Sequence, residues 1–222
     1  MCSNVSRIGM STDIYMSVDI LIVKCYLVGM SDKPDSKEKT ILAAAKLLRR
    51  HGYNGTALSD ILAAAGTPRG SLYFHFPNGK EEIAVAALTH AGDSVRQAIA
   101  GAAEASKSAD EFLIRIARGM AADLERSDFK EGCPIAPTAL EISGASEALT
   151  AAAGAAFQSW EQEIAAGLLS FHFDAERAKL LATAALSQFE GALLLARTYR
   201  RLEPLQRAEE SIRALVHAAA RT

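Results

Sequence analysis

Arg69, Gly70, Ser71, Tyr73 and His75 lie within seven residues of one another, interleaved with the apolar Leu72 and Phe76. A guanidinium can grip guanine O6 and N7 through two parallel hydrogen bonds, a contact worth about 1–3 kcal/mol of discrimination between bases. Hydroxyl, phenol and imidazole groups suit the phosphate oxygens of a nucleic-acid backbone. Gly70 lets the chain approach a groove closely. On a helix, Leu72 and Phe76 share one side, and Arg69, Ser71, Tyr73 and His75 populate the rest of the surface. The chemistry on offer is recognition of a polyanion and of base edges.

The elements that must position these groups are legible upstream. Leu58, Ile61 and Leu62 form one apolar face of a short helix, and Thr56 is expected to cap it by accepting from its free N–H groups. Gly66 suits the left-handed residue that ends this helix. Thr67 is then expected to cap the next helix, with Pro68 at its first position, where no N–H is needed. A helix, a tight turn and a second helix with exposed polar residues is the helix-turn-helix plan, whose second helix enters the DNA major groove. Before it, Asp35 and Glu38 read as the capping box of a longer helix with Ile41, Leu42, Ala45 and Leu48 on its core face. Lys37, Lys46, Arg49 and Arg50 fall among its polar positions and read as solvated surface near phosphate. Tyr53 is expected to pack into a small three-helix core.

The run from Gly52 to Ile61, then Ala65-Gly66, Gly70-Ser-Leu-Tyr-Phe-His-Phe76 and Lys80-Glu-Glu82, closely resembles the N-terminal DNA-binding domain of TetR-family transcriptional regulators over about fifty residues. The segment Pro68–Glu82, with Gly132-Cys-Pro-Ile-Ala136, looks like the LmrA/YxaF-like branch of that family. The resemblance implies an all-α protein: a three-helix head carrying the helix-turn-helix, then a helical bundle for ligand binding and dimerisation. It places DNA contacts at Thr56, Ser59, Pro68, Arg69, Gly70, Ser71, Tyr73, His75 and Lys80. Pro68 stands where relatives often carry Ser or Thr, so one side-chain contact is lost. The Pro77-Asn-Gly79 turn is one residue longer than the commoner family form, which shifts Lys80.

The rest of the chain reads as helices throughout, with no strand pattern. A long helix from Lys80 to about Glu104 links head to body, and Ser108-Ala-Asp-Glu111 opens another that Glu131–Ile135 breaks. A short helix follows over 137–142. Long helices run over 146–171 and from Asp174 to about Tyr199, and Pro204 starts the last. An effector pocket in such a body would be lined by apolar and aromatic groups with few polar ones. The candidates are Phe112, Ile116, Met120, Cys133, Leu140, Phe157, Trp160, Ile164, Gln188 and Phe189, which suit a small hydrophobic or aromatic effector. The resemblance puts the dimer surface on the last two long helices, through Leu186, Leu193, Ala196, Ile212 and Leu215. Filling of the monomer's own core is the competing role for these five.

Composition sets the outer limits. Half of the 222 residues are hydrophobic, with little Pro or Gly, as suits an all-helical protein. The net charge of −2 excludes a globally basic nucleic-acid binder. Residues 31–82 nevertheless hold eight Lys/Arg against six Asp/Glu, and 83–222 hold fourteen against eighteen. A slightly basic head on an acidic body fits a DNA reader with a separate ligand domain. Cys2, Cys25 and Cys133 make neither a disulfide framework nor a metal-ligand spacing, and a reducing cytoplasm is their natural setting. No phosphate loop, metal cluster or nucleophile elbow is present, so no cofactor, metal or enzymatic role is expected. A Cys133/His172/Glu141 site is the remaining nucleophilic arrangement.

Residues 1–30 do not fit the rest. Ile20–Met30 is apolar but short and broken by Lys24, below what a bilayer needs. The reading is an extension upstream of a true start at Met30, with the head over 31–80 and the body over 81–222. The expected function is a homodimeric, ligand-responsive repressor that binds double-stranded operator DNA and has no membrane partner. The alternative is a DNA-bound regulator that acts through protein partners without an effector.

Overall fold

The computed structural model describes residues 35–142, 144 and 146–220, so the expectations for residues 1–30 lie outside the described part. Among the described residues the regular structure is entirely α-helical, in the order α1 (Ser36–His51), α2 (Leu58–Ala65), α3 (Arg69–His75), α4 (Lys80–Glu104), α5 (Ala109–Arg126), α6 (Ala136–Glu141), α7 (Glu147–Ser170), α8 (Ala175–Tyr199) and α9 (Glu203–Ala219).

Most starts follow from local chemistry. Asp35, Ser108, Ser146 and Asp174 each accept a backbone N–H three residues on, satisfying donors that the helix itself leaves unpaired. Two starts in the helix-turn-helix differ from expectation. Thr56 does not cap α2: Ala57 holds that position, and Thr56 is buried with its hydroxyl donating to Gly52 O at 2.7 Å. Thr67 does not cap α3: Pro68 is the cap, in extended conformation, and Thr67 Oγ1 lies 3.4 Å from Thr40 Oγ1 instead. Both hydroxyls find partners within the head, so both helix starts go without a side-chain cap. Gly66 ends α2 at φ 62°, ψ 30°, the left-handed geometry its place in the turn requires.

Helices α1–α3 close around Ala44, Leu48, Ile61, Leu72 and Phe76, all buried. Tyr53 is half-buried against this core. Helix α4 then leaves the head and packs against both α1 and, over most of its length, α7. Its body-facing side is built from small residues: a Cβ added at Gly92 would press on Ala156, and Trp160 Nε1 donates to Gly92 O at 2.8 Å. Helices α8 and α9 pack on one another and flank α7 and α5 respectively.

Candidate nucleic-acid interface

Helix α3 is short, and its two sides have opposite fates. Leu72 and Phe76 seal it to the head. Ser71 Oγ donates to Ser36 Oγ at 3.0 Å, and His75 Nε2 lies 2.9 Å from the same hydroxyl. These two expected DNA ligands are therefore half-buried and turned onto the start of α1, where they hold the helix in place. Pro68, Arg69 and Gly70 are exposed at the leading end, and Tyr73 is 53% exposed on the outer face. Beside it Phe74 is 82% exposed, the most exposed large apolar side chain of the described residues. Sequence reading passed over Phe74 as one aromatic in a run of three. Its signal was there: residue 74 falls two positions after the core residue Leu72, about 200° around a helix. An exposed ring there suits apolar contact with a thymine methyl group.

The remaining expected contacts divide likewise. Ser59 is exposed in the first turn of α2, its hydroxyl 3.5 Å from Asp60 Oδ1. Thr56 is 1% exposed, so its side chain offers a phosphate nothing. Lys80 opens α4 with its Nζ 4.1 Å from the centre of the Tyr53 ring. Burial lowers its pKa, opposed by the nearby Glu141 carboxylate, and burial raises that of the Tyr53 phenol. The longer turn before it, with Gly79 at φ 67°, sets the lysine against the head instead of extending it.

Arg49 and Arg50 depart furthest from expectation: neither is solvated surface. Arg49 Nε donates to Gly132 O at 2.5 Å, and its other nitrogens lie 3.4 Å from Asp123 and 3.6 Å from Glu131. Arg50 pairs with Glu131 at 2.5 Å. Close by, Asn54 N–H donates to Glu141 Oε2 at 2.7 Å, and a Cβ on Gly52 would overlap that carboxylate. The C-terminal end of α1 is thus a joint with the body.

In the body, Phe112, Trp160 and Phe189 are fully buried, and Cys133 and Ile164 nearly so. Ile116, Met120 and Phe157 pack half-buried against the same core. Phe157 meets Trp160 edge-on at 5.3 Å. Leu140 does not join them. It is 79% exposed, because Thr138 takes the buried side of the six-residue α6 and Leu140 falls nearly opposite. Gln188 lies apart too, half-buried in an open groove of about 650 Å³ between α8 and α9 that Leu195, Tyr199, Arg201 and Arg207 also line. The Cys133 thiol bonds the Glu190 carboxyl, and burial raises the pKa of both groups. Glu141 is committed to the head and His172 is exposed in the α7–α8 corner, so the three groups of the nucleophilic arrangement point to different partners.

The expected dimer residues need a correction of register. Leu193, Ala196 and Ile212 are buried in the chain's own core, and Leu186 is half-buried against it. Leu215 is 41% exposed. The open face of α8 runs one position over, through Leu180, Ser187, Gly191, Leu194 and Leu195. Helix α8 is apolar on both sides, and by length and composition it passes for a membrane span, with 39% of that window buried. Periodicity alone could not choose which side turns inward.

Residues 41–87 match the profile of "Bacterial regulatory proteins, tetR family", and residues 109–211 match "Transcriptional regulator LmrA/YxaF-like, C-terminal domain". The HTH-type transcriptional regulator LmrA of Bacillus subtilis is 34% identical over 171 residues, spanning 77% of this chain and 91% of that protein. The uncharacterized HTH-type transcriptional regulator YxaF of the same organism is 34% identical over 187 residues, 84% of this chain and 98% of that one. A TetR transcriptional regulator from Legionella pneumophila superposes with a TM-score of 0.72 at 24% identity, over 84% of this chain and all of that one, a likeness of fold alone.

Proposed function

From the premise that the chain belongs to the TetR family of DNA-binding transcriptional regulators, and is not an enzyme, we propose that it is a homodimeric repressor released from its operator by a small hydrophobic effector. One observation carries the DNA half of this reading: α3 is pinned by Leu72, Phe76, Ser71 and His75, while Arg69, Tyr73 and Phe74 face outward. A rigid short helix presenting a guanidinium and two aromatic rings suits a major groove. Arg69 reads guanine, Phe74 contacts a thymine methyl, and Tyr73 and Ser59 take phosphates. The head over 31–80 does the reading and the body over 81–222 does the sensing. Work on an operator places the protein in the cytoplasm.

Affinity requires two heads. Two-fold dimers read half-sites about one helical turn, roughly 34 Å, or a multiple of it apart. The open, small-residue face of α8 with the adjoining face of α9 supports dimerisation there, since a monomer would leave Leu180, Leu194 and Leu195 in water. The aromatic core around Phe112, Phe157 and Trp160 supports an apolar effector. A ligand that prefers a body conformation in which the heads are misplaced releases DNA by population shift.

The test is binding of the purified protein to DNA from upstream of its own gene, over a salt series and beside Arg69→Ala. Tight, sequence-dependent binding that salt weakens steeply and the variant loses supports the reading. Absence of any preferred site in a genome-wide selection overturns it.

A further inference from the structure

The charged cluster at the end of α1 touches neither the outer face of α3 nor the aromatic core, and it joins three parts of the molecule. From the head come Arg49 and Arg50. From the loop after α5 come Glu131 and Gly132 O, and from α5 itself Asp123. From α8 comes Arg197, whose guanidinium donates to Arg50 O at 3.3 Å. The same loop is tied to α8 by Arg200, which pairs with Asp128 at 2.6 Å. The head is thus clasped to the helix that offers the dimer face.

The cluster is built to hold an angle. The side chains of Arg49, Asp123 and Glu131 are 12%, 15% and 18% exposed, so their attraction is screened less than that of a surface pair. Arginine forks are directional, and Arg49 spends its fork on a backbone carbonyl and two carboxylates at once. Displacement of the head relative to α8 would pull charges apart inside a partly buried site, which costs more than breaking an exposed pair.

We propose that Arg49, Arg50 and Glu131 are positioning residues for operator recognition. By fixing the head against α8 they set the half-site separation that the dimer accepts. This rests on the dimeric reading above. A head held only by α4 would swing, and the dimer would bind a range of separations at similar, weaker affinity.

The experiment takes an operator selected from random-sequence DNA by the full-length protein. A series is then made with roughly one to six base pairs inserted at its centre, about half a helical turn. Wild type, Glu131→Gln and the milder Arg50→Gln are measured on each. The wild type should discriminate best from worst separation by about tenfold or more, the range of ordinary coupling energies. Both variants should flatten that profile to about threefold or less while circular dichroism shows them folded. Combining the two substitutions should flatten it no further than Glu131→Gln alone, because they break one contact. A merely structural role would lower the melting temperature and leave the profile as steep as in wild type, which overturns the proposal. A wild type that binds every separation alike would instead overturn the two-headed reading, and the clasp with it.

Discussion

Arg69 and the pair Arg49–Arg50 belong to the same small head, carry the same charge, and end in opposite circumstances. Arg69 projects from a helix start into solvent. Arg49 and Arg50, twenty residues earlier in the chain, are enclosed by carboxylates of the body. An arginine facing water keeps its hydrogen-bonding fork free for a base edge, and one enclosed by carboxylates spends it on fixing orientation. Recognition and geometry are thus assigned to different arginines of one domain, and the difference comes from what packs beside each.

Substitutions separate the two. The largest effect should come from Leu72→Ala, which removes a side chain 1% exposed under both sites. A loss of about 2–5 kcal/mol in unfolding free energy is expected by denaturant titration, with operator binding lost as the head melts. Next comes Arg69→Ala. Affinity for the operator should fall about tenfold to a hundredfold with the melting temperature unchanged, while binding to random DNA stays nearly the same. A matching loss on random DNA would make Arg69 a phosphate contact and blur the distinction.

Arg50→Gln should do the reverse. The variant should lose about 1 kcal/mol of stability, less at high salt, with little change in affinity for random DNA. Smallest is the effect of Glu190→Gln, beneath the clasp. Burial raises the Glu190 carboxyl pKa in the folded chain, so the folded state holds its proton to higher pH than the unfolded state does. Its contribution to stability is therefore full below the ordinary glutamate range and is lost as pH rises through the raised value. Melting temperatures across pH 4–8 should fall less steeply with rising pH in the variant. An unchanged slope would show that Glu190 is ionised in the folded protein.

Much of the head was legible because its signals are local. Asp35, Gly66, Leu72 and Phe76 act within a turn or two of where they stand, and the structure places each as the spacing implies. Where a hydroxyl had two partners to choose from, the spacing misled: Thr56 and Thr67 have the residue type of helix caps but bond elsewhere in the head. The body was harder. Leu140, Leu193, Ala196 and Ile212 are apolar residues in apolar helices, and nothing near them in the chain says which side turns to the core.

The sequence by itself determined the helical class, the turn that angles α3, and the chemistry that α3 can offer to DNA, since periodicity, capping and side-chain type are properties of neighbouring residues. Tertiary structure alone decided that Ser71 and His75 face inward while Phe74 faces outward, that α8 exposes Leu194 and not Leu193, and that Arg49 and Arg50 are held by Glu131 eighty residues away. Those outcomes depend on which distant surfaces meet, and a helix with more than one plausible inner face takes its orientation from the neighbour that covers it.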